Sequence, residues 1–230
     1  MATAHAKSRL GSRGKPEQTR DAILQAAIKE FAAHGIAGAR TDAIARAARV
    51  NKALLYYYFK DKETLYGAAL DHAFGQQAAH MLQVLGQDLP PRQKILAYVG
   101  EYFDFIAGHP MNRDLAQREL MRAGHGSGHF QRIAKRYFQP LFAGLAEVIR
   151  QGIASGEFRA VDPLQFIPSM VALVVFYFTG APILKVAAGF DPLSPERITQ
   201  RRAAVLDFVS AVLFCRNDDY AQGGGRERAQ

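Results

Sequence analysis

Apolar residues recur along this chain at helical rather than strand spacing. Ile23, Leu24, Ala27, Ile28 and Phe31 share one face and Gly35 follows as a stop, so a first helix is expected over residues 16–34. Ala43, Ile44, Ala47 and Ala48 make a second, shorter stripe of small side chains. Leu54, Leu55, Tyr58 and Phe59 repeat that spacing after Arg49-Val50-Asn51, which is too short to be anything but a sharp connection. Asp61 suits the N-cap of a fourth helix that runs to about Gly86, before Leu89-Pro90-Pro91 breaks it. Further apolar runs predict helices over about 91–107, 112–123, 129–155, 162–180 and 194–215. No alternating strand pattern persists. The expected fold class is all-α, about nine helices in all.

The short second and third helices are the most informative part of the pattern. With Leu54, Leu55, Tyr58 and Phe59 turned inward, the third helix faces outward with Lys52, Ala53, Tyr56 and Tyr57. A helix-turn-helix that reads DNA needs one helix fixed by its apolar back and another whose N-terminal half meets base edges. Charge agrees with that reading. Residues 1–65 hold 12 Lys and Arg against 6 Asp and Glu, whereas residues 66–230 hold 17 against 15. The cationic excess thus lies on the segment with the helix-turn-helix, as binding to a polyanion requires.

Thr41, Lys52, the run Leu55-Tyr56-Tyr57-Tyr58-Phe59, and Lys62-Glu63-Thr64-Leu65 resemble the signature of the TetR/AcrR-like one-component transcriptional regulators. The likeness covers residues 17–66, including the first helix. Two positions depart from it: Arg49 stands where the family usually has Gly in the turn, and Lys60 where it usually has Pro. If Arg49 takes positive φ, the strain is about 1 kcal/mol relative to Gly.

The resemblance implies a three-helix DNA-binding domain over 16–66 and a larger helical effector-binding and dimerisation domain over 67–216; composition adds a flexible basic arm, 1–15, and a disordered tail, 217–230. It implies a homodimer on a near-palindromic, inverted-repeat operator, and a small-molecule effector held in the larger domain. In its terms Thr41, Tyr56, Tyr57 and Lys62 are phosphate contacts, while Lys52, Ala53 and Leu54 lie where side chains meet bases. Asn51 is the expected N-cap of the reading helix. Tyr58 and Phe59 read as core.

In the larger domain the family's cavity directs attention to aromatic residues: Tyr98, Tyr102, Phe138, Phe142, Phe176 and Tyr177, with Arg118 and Arg122 as polar partners for an acid group. They suggest an apolar or aromatic effector between the fifth, seventh and eighth predicted helices, with Ala172 facing the same space. The eighth and ninth helices together present more apolar surface than one layer can cover, so they are the expected dimer contact, with Val174 and Val209 in it.

Other chemistry is thin. The sole cysteine, Cys215, permits no internal disulfide and fits a reducing cytoplasm. No secretory leader, phosphate loop, nucleophile elbow or paired-carboxylate pattern is visible, so neither a cofactor nor an enzyme is expected. His125 and His129 lack ligands at metal spacing. Residues 163–184 carry no charge, but their prolines favour a buried helix over a membrane span. The competing readings are a small-molecule carrier or enzyme with a basic helical N-terminus, and a DNA-binding protein without effector.

Overall fold

The computed structural model describes residues 16–123 and 128–215. The expected basic arm, 1–15, the expected tail, 217–230, and His125 fall outside those residues. The chain divides into two compact units between His72 and Ala73, inside the fourth helix.

The first unit holds α1 (Pro16–Gly38), α2 (Thr41–Ala47), α3 (Lys52–Tyr58) and the start of α4 (Lys62–Leu85). Gly35 breaks α1 with φ 64° and ψ 175°, a conformation open to glycine. The predicted inner face of α1 is the observed one: Ile23, Leu24, Ala27, Ile28 and Phe31 are all buried. They meet Ile44, Leu55, Phe59, Leu65 and Tyr66 in a small core, with the Phe31 and Tyr66 rings edge to face at 5.0 Å. Each isoleucine, leucine and phenylalanine among them contributes about 1.5–3 kcal/mol by leaving water. The α2 stripe is turned by one residue from expectation: Ala45 is buried and Ala47 exposed. Ile44 is the only large apolar side chain there, so it fixes the rotation, and alanines on either side accept it.

The second unit is built on α5 (Pro91–Gly108), which buries Ile95, Tyr98, Val99, Tyr102, Phe103 and Ile106. Around it run α6 (Pro110–Ala123), α7 (Gly128–Ile133), α8 (Gln139–Ala154), α9 (Pro163–Thr179), α10 (Ala181–Ala188) and α11 (Pro195–Leu213). A π-helical turn, Ala134–Phe138, joins α7 to α8 without interruption, so the two form the single long helix that was expected. Gly152 admits the Phe158 ring, since a Cβ there would lie 2.2 Å from it. Phe158 in turn pairs with Phe214 in an isolated antiparallel bridge.

Asp162 caps α9 by accepting from the Leu164 amide at 2.9 Å. Thr179 ends it, and the chain bends 68° into α10, a helix absent from the sequence-based expectation. Gly180-Ala181-Pro182 signals a break; it does not say that proline will serve as the first-turn residue of a new helix. Among the described residues no single helix is long and apolar enough to cross a membrane. Val174 and Val209, expected on the dimer face, are buried core instead. The outward apolar residues of α9 and α11 are Leu164, Phe176, Phe208 and Val212.

Candidate functional site

Helix α3 owes its placement to its ends and its back. Arg49 takes φ 56°, the left-handed conformation, and so turns the chain sharply between α2 and α3. Asn51 then caps α3, its Oδ1 accepting from the Leu54 amide at 2.7 Å. Leu55 and Phe59 are buried, and Leu54 and Tyr58 half-buried. Lys52, Ala53, Tyr56 and Tyr57 remain exposed along the opposite face, Tyr57 most of all at 80%. One amphipathic helix thus has its apolar side locked and its polar side displayed.

The neighbouring groups add detail that the sequence did not offer. Lys52 Nζ lies 2.9 Å from Asp42 on α2. Its hydrogen bond and charge hold the Asp42 carboxyl below the usual range, and Asp42 raises Lys52 in return. Both side chains are about half exposed, so the pair is weak and open to a competing phosphate. The Thr41 and Tyr56 hydroxyls are 3.3 Å apart, bringing two expected phosphate contacts together. Thr41 is the first residue of α2 rather than its N-cap, which is Arg40. Lys62 is half-buried, and its Nζ donates to the Ala37 and Ala39 carbonyls at 3.4 and 3.3 Å. It therefore ties the start of α4 to the end of α1, a structural task unseen in the sequence.

The expected effector residues do not all converge. Tyr98 and Tyr102 are buried one turn apart on α5, their rings stacked at 6.2 Å, and burial pushes both phenols well above their usual range. Tyr177 is buried nearby in the same apolar cluster and donates to the Pro192 carbonyl at 2.7 Å. Arg201 sits over its ring at 5.1 Å. Phe138 and Phe142 instead line a groove of about 360 Å³ with Ala134, Gln139 and Ala143, at the π turn. Phe176 is 63% exposed and Arg118 is exposed, so neither contributes to an interior wall as expected; Ala172 is exposed as well. A helix apolar on all sides gives no reliable sense of which side chain turns inward. Arg122 donates to Glu119 Oε2 at 3.4 Å, and Glu119 is the buried charge of this region.

A buried-back, capped helix presenting a basic and hydroxylated face, placed in a three-helix unit ahead of a larger helical unit, defines a helix-turn-helix regulator of transcription. Family comparison agrees. Residues 23–69 match the model of the tetR family of bacterial regulatory proteins, and residues 91–209 match the tetracycline-repressor-like C-terminal domain. The chain belongs to the tetR family.

Its relatives include the HTH-type transcriptional repressor SCO4008 of Streptomyces coelicolor, 30% identical over 155 residues, covering 67% of this chain and 77% of the relative. The HTH-type transcriptional repressor NicS of Pseudomonas putida is 28% identical over 164 residues, 70% of this chain and 76% of its own. Among solved structures, SCO4942 of Streptomyces coelicolor superposes with a TM-score of 0.66 at 28% identity, over 85% of this chain and 98% of that one. HlyIIR, a hemolysin II transcriptional regulator, gives 0.59 at 25% identity, over 83% and 98%. The chain is thus a DNA-binding regulator of transcription, of a family whose named members are regulators and not enzymes.

Proposed function

We propose that the protein is a cytoplasmic repressor that holds an inverted-repeat operator as a homodimer and leaves it when a small apolar or aromatic effector binds the second unit. The observation that carries the DNA-binding part is the display of Lys52, Ala53, Tyr56 and Tyr57 on a helix pinned by Leu55 and Phe59. Lys52 and Leu54 read bases: a lysine donates to guanine, and a leucine touches a thymine methyl. Thr41, Tyr56, Tyr57 and Lys62 meet phosphates, and Asn51 orients the reader.

Repression is supported by the relatives SCO4008 and NicS, both named as repressors. The dimer is supported by the exposed apolar face of α9 and α11, which a monomer would leave in water. The effector site is supported by Tyr98, Tyr102 and Tyr177, polar-tipped aromatics buried among apolar side chains.

The test is binding of the purified protein to the DNA upstream of its own gene, followed by fluorescence anisotropy with non-specific competitor. The expected result is one dimer per inverted repeat, released by some members of a panel of lipophilic acids and aromatic compounds. Binding that is equal on operator and scrambled DNA would remove the operator claim. Binding that ignores every compound would remove the effector claim.

A further inference from the structure

The exposed face of α9 is more ordered than a general apolar surface. Gln165, Ser169, Ala172 and Phe176 are all exposed and fall at i, i+4, i+7 and i+11, a single stripe along the helix. Beside its first half lies a groove of about 410 Å³, lined by Val161, Asp162, Gln165, Ser169, Phe208 and Val212 among others. Residues 161–173 border the groove together with 208–212, and Arg201 donates to the Leu173 carbonyl, so α9 and α11 run antiparallel. At the other end of α9 the chain bends 68° into α10, where Ile183 is 68% exposed and Val186 87%. Between them stands Lys185, 3.9 Å from Asp191 and itself well exposed. The chain therefore carries an apolar hollow with a carboxylate at one end of α9, and an apolar knob with an ammonium at the other.

We infer that α10 is a docking arm for a second copy of this chain, seated across the Val161–Asp162 end of that copy's groove. The inference rests on the homodimer proposed above and adds an element to it. A two-fold axis puts the same surface on both sides of the interface, so a hollow at one end and a knob at the other meet twice. Ala172 is the smallest side chain of the stripe and sits near its middle, where crossing helices approach most closely. With the axis there, Phe176 of each copy lies opposite Ser169 of the other and fills the hollow. The same operation carries α10 to the groove's far end, bringing Lys185 to Asp162 and covering Ile183 and Val186.

The experiment compares sedimentation of the full chain and of three variants. Val186→Asp is expected to raise the dimer dissociation constant roughly a hundredfold, because two valines lose their burial in each dimer. Leu82→Asp, exposed on α4 and off this face, is expected to change nothing. The double variant Gln165→Cys with Val186→Cys is expected to form a disulfide-linked dimer on oxidation, which neither single variant forms. Residues 165 and 186 of one copy are separated by most of α9, so the bond has to join two copies. A monomeric wild-type chain at micromolar concentration overturns the dimer and the arm together. A wild-type dimer whose Val186→Asp variant associates equally well, with no cross-link in the double variant, overturns the arm and leaves the dimer standing.

Discussion

Arg49 and Asp42 act through single side chains, and each makes a prediction of its own. Arg49 holds φ 56°, where a Cβ crowds the backbone. Arg49→Gly should stabilise the first unit by about 0.5–1 kcal/mol, since relief of strain outweighs the added freedom of the unfolded chain. Thermal unfolding measures it, and a lower midpoint would refute the strain argument. Asp42 neutralises Lys52 at the edge of the proposed DNA-contacting face. With Asp42 titrating below its usual range and Lys52 above, the pair is intact at neutral pH. Its contribution to the fold is lost as pH falls through the depressed Asp42 value, and again as pH rises through the raised Lys52 value. Asp42→Asn should leave Lys52 unneutralised and tighten binding to any DNA by roughly threefold to tenfold at low salt. Anisotropy titrations at two salt concentrations would expose a failure, namely unchanged affinity at both.

At the scale of the element, the proposed function gives α3 both a reading and a holding role. Lys52→Ala or Leu54→Ala should relax preference among operator variants by about 1–3 kcal/mol at the affected base pair. Tyr57→Phe should weaken all sequences alike. Lys62→Ala should also lower the salt slope by about one. It carries a second effect, because it leaves the Ala37 and Ala39 carbonyls without their donor. A Lys62→Arg variant keeps the charge, so comparing the two by unfolding and by salt dependence separates phosphate contact from loss of the tie. If operator discrimination survives replacement of both Lys52 and Leu54, α3 is not the reader.

At the scale of the molecule, an effector of the proposed dimer can shift operator binding only through its differential affinity for two states of that dimer. A tenfold loss of DNA binding needs about 1.4 kcal/mol of such preference. The buried pair Tyr98 and Tyr102 is the place to test it. Tyr102→Phe removes one hydroxyl with little change of volume. It should weaken the response to any effector found by at least about threefold while leaving operator affinity unchanged. Equal responses in both proteins would exclude that hydroxyl from recognition. Ala172→Trp, by contrast, places its bulk on the exposed stripe of α9 and bears on assembly rather than on the effector.

The first unit was legible in the sequence because its logic is local. Spacing gave α1 and α3, a three-residue connection gave the turn, and an amide-capping Asn gave the start of α3. Those signals act within a few residues and depend little on what lies elsewhere. The outward face of α3 followed because Leu55 and Phe59 left one side for the core. Tertiary structure decided whatever depended on distant partners. Lys62 meets carbonyls 23 and 25 residues earlier, and Asp42 reaches Lys52 across the turn. In α9, nearly every position is apolar, so periodicity could not tell Val174, which is buried, from Phe176, which faces out. Packing against α8, α5 and α11 fixed that rotation. The same packing separated the core aromatics from those at the surface, and it set α10 at 68° to α9 where Gly180-Ala181-Pro182 had signalled no more than a break.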